Sequence, residues 1–96
     1  MPYELPEWAE SKLRGVTPDE IDQVLSGRHK WPRPSTGASL RVTLIAGRTE
    51  AGRPLFVAVH RVGTFHWLVL GAEELTGADL AAFEDWEERT DEPFTG

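Results

Sequence analysis

The chain has no cysteine, which rules out both a disulfide framework and a thiolate metal site. Its three histidines, His29, His60 and His66, lack the i, i+4 spacing of a paired metal ligand, so no metal is expected. There is no glycine-rich loop to cradle a phosphate, and no Ser or Cys nucleophile stands with a recognisable base. No run approaches the ~20 apolar residues of a membrane span. The opening stretch MPYELPEWAESK is acidic and has no signal-peptide core. These absences lead to the expectation of a soluble, cytoplasmic protein without cofactor, metal or membrane partner.

What is present fits one small domain: 96 residues with a formal charge of −6. The charge is lopsided. Residues 73–96 hold nine acids against Arg89, a balance of −8, while residues 1–72 hold seven acids and nine bases, a balance of +2. Seven of those nine bases lie between Arg28 and Arg61. We expect a single domain over residues 1–90 and a flexible tail over residues 91–96.

The stretch VTPDEIDQVLSG predicts a helix over residues 18–26. Thr17 is a good N-cap, Pro18 suits the first turn, Glu20 completes a capping box, and Gly27 suits the stop. PEWAESKLRG reads as an earlier helix ending near Gly15, with Trp8, Ala9 and Leu13 on its buried side. SLRVTLIA, PLFVAVHRV and TFHWLVLG are rich in β-branched and aromatic residues and read as strands, with turns at TEAG and at Gly63-Thr64. LTGADLAAFEDWEERT predicts a last helix capped by Thr76, with Leu80, Phe83 and Trp86 inward and its acids solvated. The expected fold is therefore α+β, in the order α-α-β-β-β-α. It has an antiparallel three-stranded sheet with helices packed mainly on one face.

Those turns set a register. Leu40, Val42, Leu44, Ala46, Leu55, Val57, Val59, Leu68 and Leu70 would share the helix-covered face. On the other face Arg41, His60 and Trp67 would stand side by side. Such a trio suits a ligand carrying phosphate or a base: Arg41 neutralises charge, Trp67 stacks and His60 moves a proton. Equally, Trp67 covered by the tail or by a partner, with His60 hydrogen-bonded beside it, would be ordinary structure.

GRHKWPRPSTG places Arg28, His29, Lys30 and Arg33 around Trp31, in a loop held extended by Pro32 and Pro34. It is either a weak, salt-sensitive contact to a phosphate backbone or a solvated connection. Lys12 and Arg14 either add charge to a ligand groove or complement the end of the first helix. Arg48 and Arg53 bracket the first hairpin turn, where they serve a ligand or keep the hairpin end soluble.

RGVTPDEIDQVL, GRTEAGRPLFVAV and VLGAEELTGADLAAF together resemble the BrnT family, the toxin halves of bacterial toxin–antitoxin pairs. The resemblance covers roughly residues 8–86. It implies a RelE-like fold, a metal-independent endoribonuclease activity on RNA and a cognate antitoxin as protein partner. Gly15, Val16, Gly47, Arg48, Thr49, Gly52, Arg53 and Ala72 match the family pattern. Arg14 stands where the pattern has His, and Glu73 where it has Arg. The implied catalytic set is His60 as proton carrier with Arg41 or Arg48 stabilising charge. Trp67, Lys12, Arg14, Arg28, Lys30, Trp31, Arg33 and Arg53 are the candidate RNA- or ligand-binding residues. A carboxylate at position 73 opposes the charge that metal-free cleavage develops. The alternative is therefore a non-catalytic, protein-binding module of the same fold, anchored by Trp67 and Phe65.

Overall fold

The computed structural model describes residues 3–35, 42–64 and 66–90. Arg41, Phe65 and the expected tail over residues 91–96 lie outside them. The elements run β1 (Tyr3–Glu4), α1 (Glu7–Glu10), β2 (Leu13–Arg14), α2 (Pro18–Leu25), β3 (Trp31–Ser35), β4 (Val42–Arg48), β5 (Pro54–Gly63), β6 (His66–Glu74) and α3 (Gly77–Thr90). β3, β4, β5 and β6 pair antiparallel in that order, and β1 and β2 both run parallel along the remaining edge of β6. The fold is α+β, as expected. The three-stranded antiparallel sheet is not: the sheet is six-stranded and mixed, with helices on both faces.

Three local causes account for the difference. The first is the N-terminal segment, where helix persists only over Glu7–Glu10. Ser11 Oγ donates to the Trp8 carbonyl at 2.8 Å, and the chain then extends so that Leu13 and Arg14 pair with Ala72 and Glu73. Strand β6 would otherwise leave an edge of unpaired backbone groups, and satisfying it outweighs a weak helical tendency. Ala9 is buried, but Trp8 is exposed rather than packed.

Secondly, the segment expected to be a loop before the first strand is itself a strand. Trp31–Ser35 pairs with β4 from Trp31↔Ala46 to Ser35↔Val42. Alternate residues of a strand aim their amides at the same side, so Pro32 and Pro34 remove donors from one side only, which an edge strand tolerates.

The third cause is turn length. Thr49 N–H donates to the Arg53 carbonyl at 2.9 Å, so the turn holds five residues, Thr49 to Arg53, and Arg48 pairs with Pro54. The expected four-residue turn would have set Arg48 against Arg53. The extra residue moves the ladder by one and exchanges faces: Ile45, not Leu44, stands opposite Val57.

Each face is consequently covered by its own helix. On one face Ile21, Val24 and Leu25 of α2 pack on Ile45, Leu55, Val57, Val59 and Val69. On the other, Leu75 and Phe83 pack on Ala46 and Phe56, joined by Leu44, Trp31, Leu80 and Trp86. The helix α2 has its expected capping box: Glu20 N–H donates to Thr17 Oγ1 at 3.2 Å, and Thr17 N–H donates to Glu20 Oε1 at 3.0 Å.

The helix α2 lies so close to β4 that a Cβ at Gly47 would stand 2.9 Å from Val24 Cγ1. Valine is stiff at χ1 and cannot swing away without moving the helix. Gly47→Ala is expected to cost about 1–3 kcal/mol through overpacking. Urea unfolding measures this; an unchanged midpoint would show that α2 is not seated this tightly.

Candidate functional site

The charged side chains fall into two groups, separated by what they touch. Arg48 donates through Nε and Nη2 to the two carboxylate oxygens of Glu87, both at 2.8 Å, and through Nη1 to the Gly52 carbonyl at 2.8 Å. Glu84 lies 3.9 Å away, and the guanidinium sits 5.6 Å from the centre of the Phe83 ring. Arg53 donates to Glu20 at 3.0 Å, to Glu74 at 2.9 Å and to the Gly15 carbonyl at 2.8 Å. These carboxylates hold both guanidinium groups above the usual arginine value. Arg48 thus fastens α3 to the sheet, and Arg53 fastens the start of α2 to the end of β6.

The basic segment before β4 is divided in the same way. Lys30 Nζ donates to the Leu25 carbonyl at 2.7 Å, closing the C-terminus of α2. Trp31 stacks on Trp86 with ring centres 5.6 Å apart and 7° between planes, and Trp86 stacks on Phe83 at 5.7 Å. Arg28 is exposed in the connection after α2.

The remaining cations converge on the part of the α3-side face that α3 leaves open. Two rows of residues cross the strands there. One runs Arg14, Glu73, Phe56, Ala46, Trp31. The next runs from Gly71 through Ala58 and Leu44 to Arg33. Lys12 crosses directly at Gly71, where a Cβ would lie 3.1 Å from Lys12 Cβ and 3.2 Å from its carbonyl oxygen. A side chain beneath that crossing would push the Lys12 backbone back by a few tenths of an ångström. The second row is therefore a trough, with a floor of Gly71, Ala58 and Leu44 between Lys12 at one rim and Arg33 at the other. Three strand spacings, about 14 Å, separate the rims. The groove has a volume of about 450 Å³, and Arg14, Phe56, Ala72, Glu73 and Asp79 complete its lining.

Among the described residues, no ion pair involves Lys12, Arg14, Arg33, Glu73 or Asp79. Arg33 holds its guanidinium 4.7 Å from the centre of the Trp31 ring, which steadies it at the rim without neutralising it. Of the cations expected to bind a ligand, Lys12, Arg14 and Arg33 are thus brought together; Arg48, Arg53 and Lys30 are placed elsewhere.

The expected trio is not assembled. His60 pairs with Val42 and Leu68, whereas Trp67 pairs with Arg61. Trp67 packs against the core beneath α2, with the Arg61 guanidinium 6.0 Å from its ring centre. His60 shares the trough's face, since Phe56, Ala58 and His60 alternate along one strand. It stands one row beyond Ala58, about 7 Å along β5. Arg48, at the level of Pro54, lies six residues from His60, about 20 Å away, so the two do not meet at one phosphate. The sequence alone gave no signal for the floor: Gly71, Ala58 and Leu44 carry no chemistry, and only the register lines them up.

No group of three or more His, Asp or Glu side chains among the described residues is arranged to hold a metal ion. No described helix is long and apolar enough to cross a membrane. Neither a protein-family model nor a curated protein matches the chain.

Two predictions separate the fastening cations from those of the groove. Arg48→Met is expected to lower stability by about 1 kcal/mol, the scale of a half-exposed ion pair, while Lys12→Met leaves the thermal midpoint unchanged. Equal losses in both variants would erase the distinction. The Thr17 amide, followed by Arg53, holds the Glu20 carboxyl below its ordinary value of 4.5. A depressed carboxyl stabilises the fold while ionised, and that contribution disappears as pH falls below 4.5 towards the lowered value. Thermal midpoints of wild type and Glu20→Gln should therefore converge in acid; a constant gap from pH 7 to pH 3 would contradict this.

Proposed function

We propose that the protein is a BrnT-like RNA-binding protein and that the strand of RNA lies in the trough between Lys12 and Arg33. One observation carries this reading. Three cations that have no carboxylate partner among the described residues rim an apolar-floored groove, whereas Arg48 and Arg53 are taken up by Glu87, Glu20 and Glu74. An anionic ligand with flat, apolar faces suits such a groove. Phosphates meet the rims, and the sugar or base lies on Gly71, Ala58 and Leu44. The acidic α3 is less of an obstacle than its composition suggests, because Glu84 and Glu87 are turned to Arg48.

Metal-independent cleavage is compatible with this placement. The 2′-hydroxyl loses its proton to His60 as its oxygen bonds to the adjacent phosphorus. The 5′-oxygen leaves as its bond to phosphorus breaks and takes a proton from solvent water, and the products are a cyclic phosphate and a free 5′-hydroxyl. Lys12, Arg14 and Arg33 supply the charge that steadies the crowded phosphate. They take over the task that the sequence suggested for Arg48.

Binding is measured with a 2′-O-methyl oligoribonucleotide, which cannot be cleaved. Three phosphate contacts give a slope of log affinity against log salt of about −2, and each of Lys12→Met, Arg14→Met and Arg33→Met reduces it by about 0.7. A slope indifferent to all three variants would sink the proposal. Incubation of unmodified RNA with EDTA, beside His60→Ala, tests the chemistry. Binding retained without cleavage would leave a non-catalytic RNA-binding module.

A further inference from the structure

The groove is not uniformly basic. Glu73 lines it between Arg14 on β2 and Phe56 on β5, and among the described residues it forms an ion pair with none of the three cations there. An unpaired carboxylate facing a phosphate site is costly unless the ligand brings donors to it. Asp79, the other acid in the lining, already has a local role in the first turn of α3, where a negative charge complements the helix dipole. Glu73 has no such role: it lies within β6, outside any helix.

We infer that Glu73 reads the base of the bound RNA and that the groove selects guanine. The inference rests on the RNA-binding reading above and adds a specificity to it. A carboxylate only accepts hydrogen bonds, and its two oxygens lie side by side. Among the four bases, guanine alone presents two adjacent donors on its Watson–Crick edge, N1–H and the N2 amino group. Adenine and cytosine each set one amino group beside an acceptor nitrogen, and uracil sets one N–H between two carbonyls. Those acceptors face the carboxylate with like partial charge. The floor of Gly71, Ala58 and Leu44 lies one row from Glu73, about 7 Å, so a base resting there turns its edge towards the carboxylate. Its phosphates lie towards Lys12 and Arg33. Arg14, beside Glu73 in the same row, offsets its charge without occupying its oxygens.

The test uses four 2′-O-methyl tetranucleotides, UUGU, UUAU, UUCU and UUUU, with fluorescence anisotropy as readout. The guanine oligonucleotide is expected to bind about tenfold more tightly than the others, the scale of one bidentate base contact. In Glu73→Gln the preference should vanish with uridine binding little changed, because an amide offers one acceptor and one donor. Asp79→Asn should keep the preference. Equal binding of all four by the wild type overturns the inference but leaves RNA binding intact. A uniform gain for all four in Glu73→Gln also overturns it, by showing that the carboxylate only repels phosphate. Failure of every oligonucleotide to bind folded wild-type protein overturns the RNA reading itself.

Discussion

The structure depends on one hairpin turn with an arginine at each end. Arg48 and Arg53 flank Thr49–Gly52 and reach to opposite faces of the sheet, one to Glu87 of α3 and the other to Glu20 of α2. A guanidinium has five donors in a rigid fork and keeps its charge, so each can serve two or three acceptors at once. Half-buried as they are, neither could be left unpartnered without a desolvation penalty. Each therefore fixes both the position of a helix and the use of that helix's acids. The strongly acidic C-terminal element is in this sense one half of an internal fastening.

The seating of α3 decides where the open surface lies. The stack of Trp31, Trp86 and Phe83 continues from the Arg48 contact and covers one end of the face. Beyond it the strands carry Gly71, Ala58 and Leu44, too small or too short to fill the space that a helix would occupy. The groove is thus the uncovered remainder of a face, and its rims are the two elements at the sheet's edges. The cationic residues divide by position and not by composition. Those at the turn and at the end of α2 bind the chain to itself, while those on the edge elements face outward.

Arg14 and Glu73, where the sequence differs from the BrnT pattern that it resembles, are direct partners across β2 and β6. Where that pattern has His and Arg, this rung carries one positive and one negative charge, so the acid at position 73 stands beside a cation in its own row.

Local signals were legible in the chain and held up. The capping box at Thr17 and Glu20, the helix over Pro18–Leu25, the inward Phe83 and Trp86 of the last helix, and the three long strands each rest on neighbours within a few residues. The strands at residues 3–4, 13–14 and 31–35 were not legible, because what makes them strands is an unpaired edge elsewhere in the sheet. Neither was the register. The turn is five residues rather than four, a difference carried by one backbone hydrogen bond from Thr49 to Arg53, and it moved every pairing along β4 and β5. That shift set Leu44 opposite Ala58, and the separate, bulged ladder of β5 and β6 set Gly71 opposite Ala58 and Arg61, not His60, opposite Trp67. The sequence by itself determined which segments extend or coil and which residues carry charge. Tertiary structure alone decided which of those charges face one another and which face the open groove, because side chains on a pleated sheet change face with each single step of register.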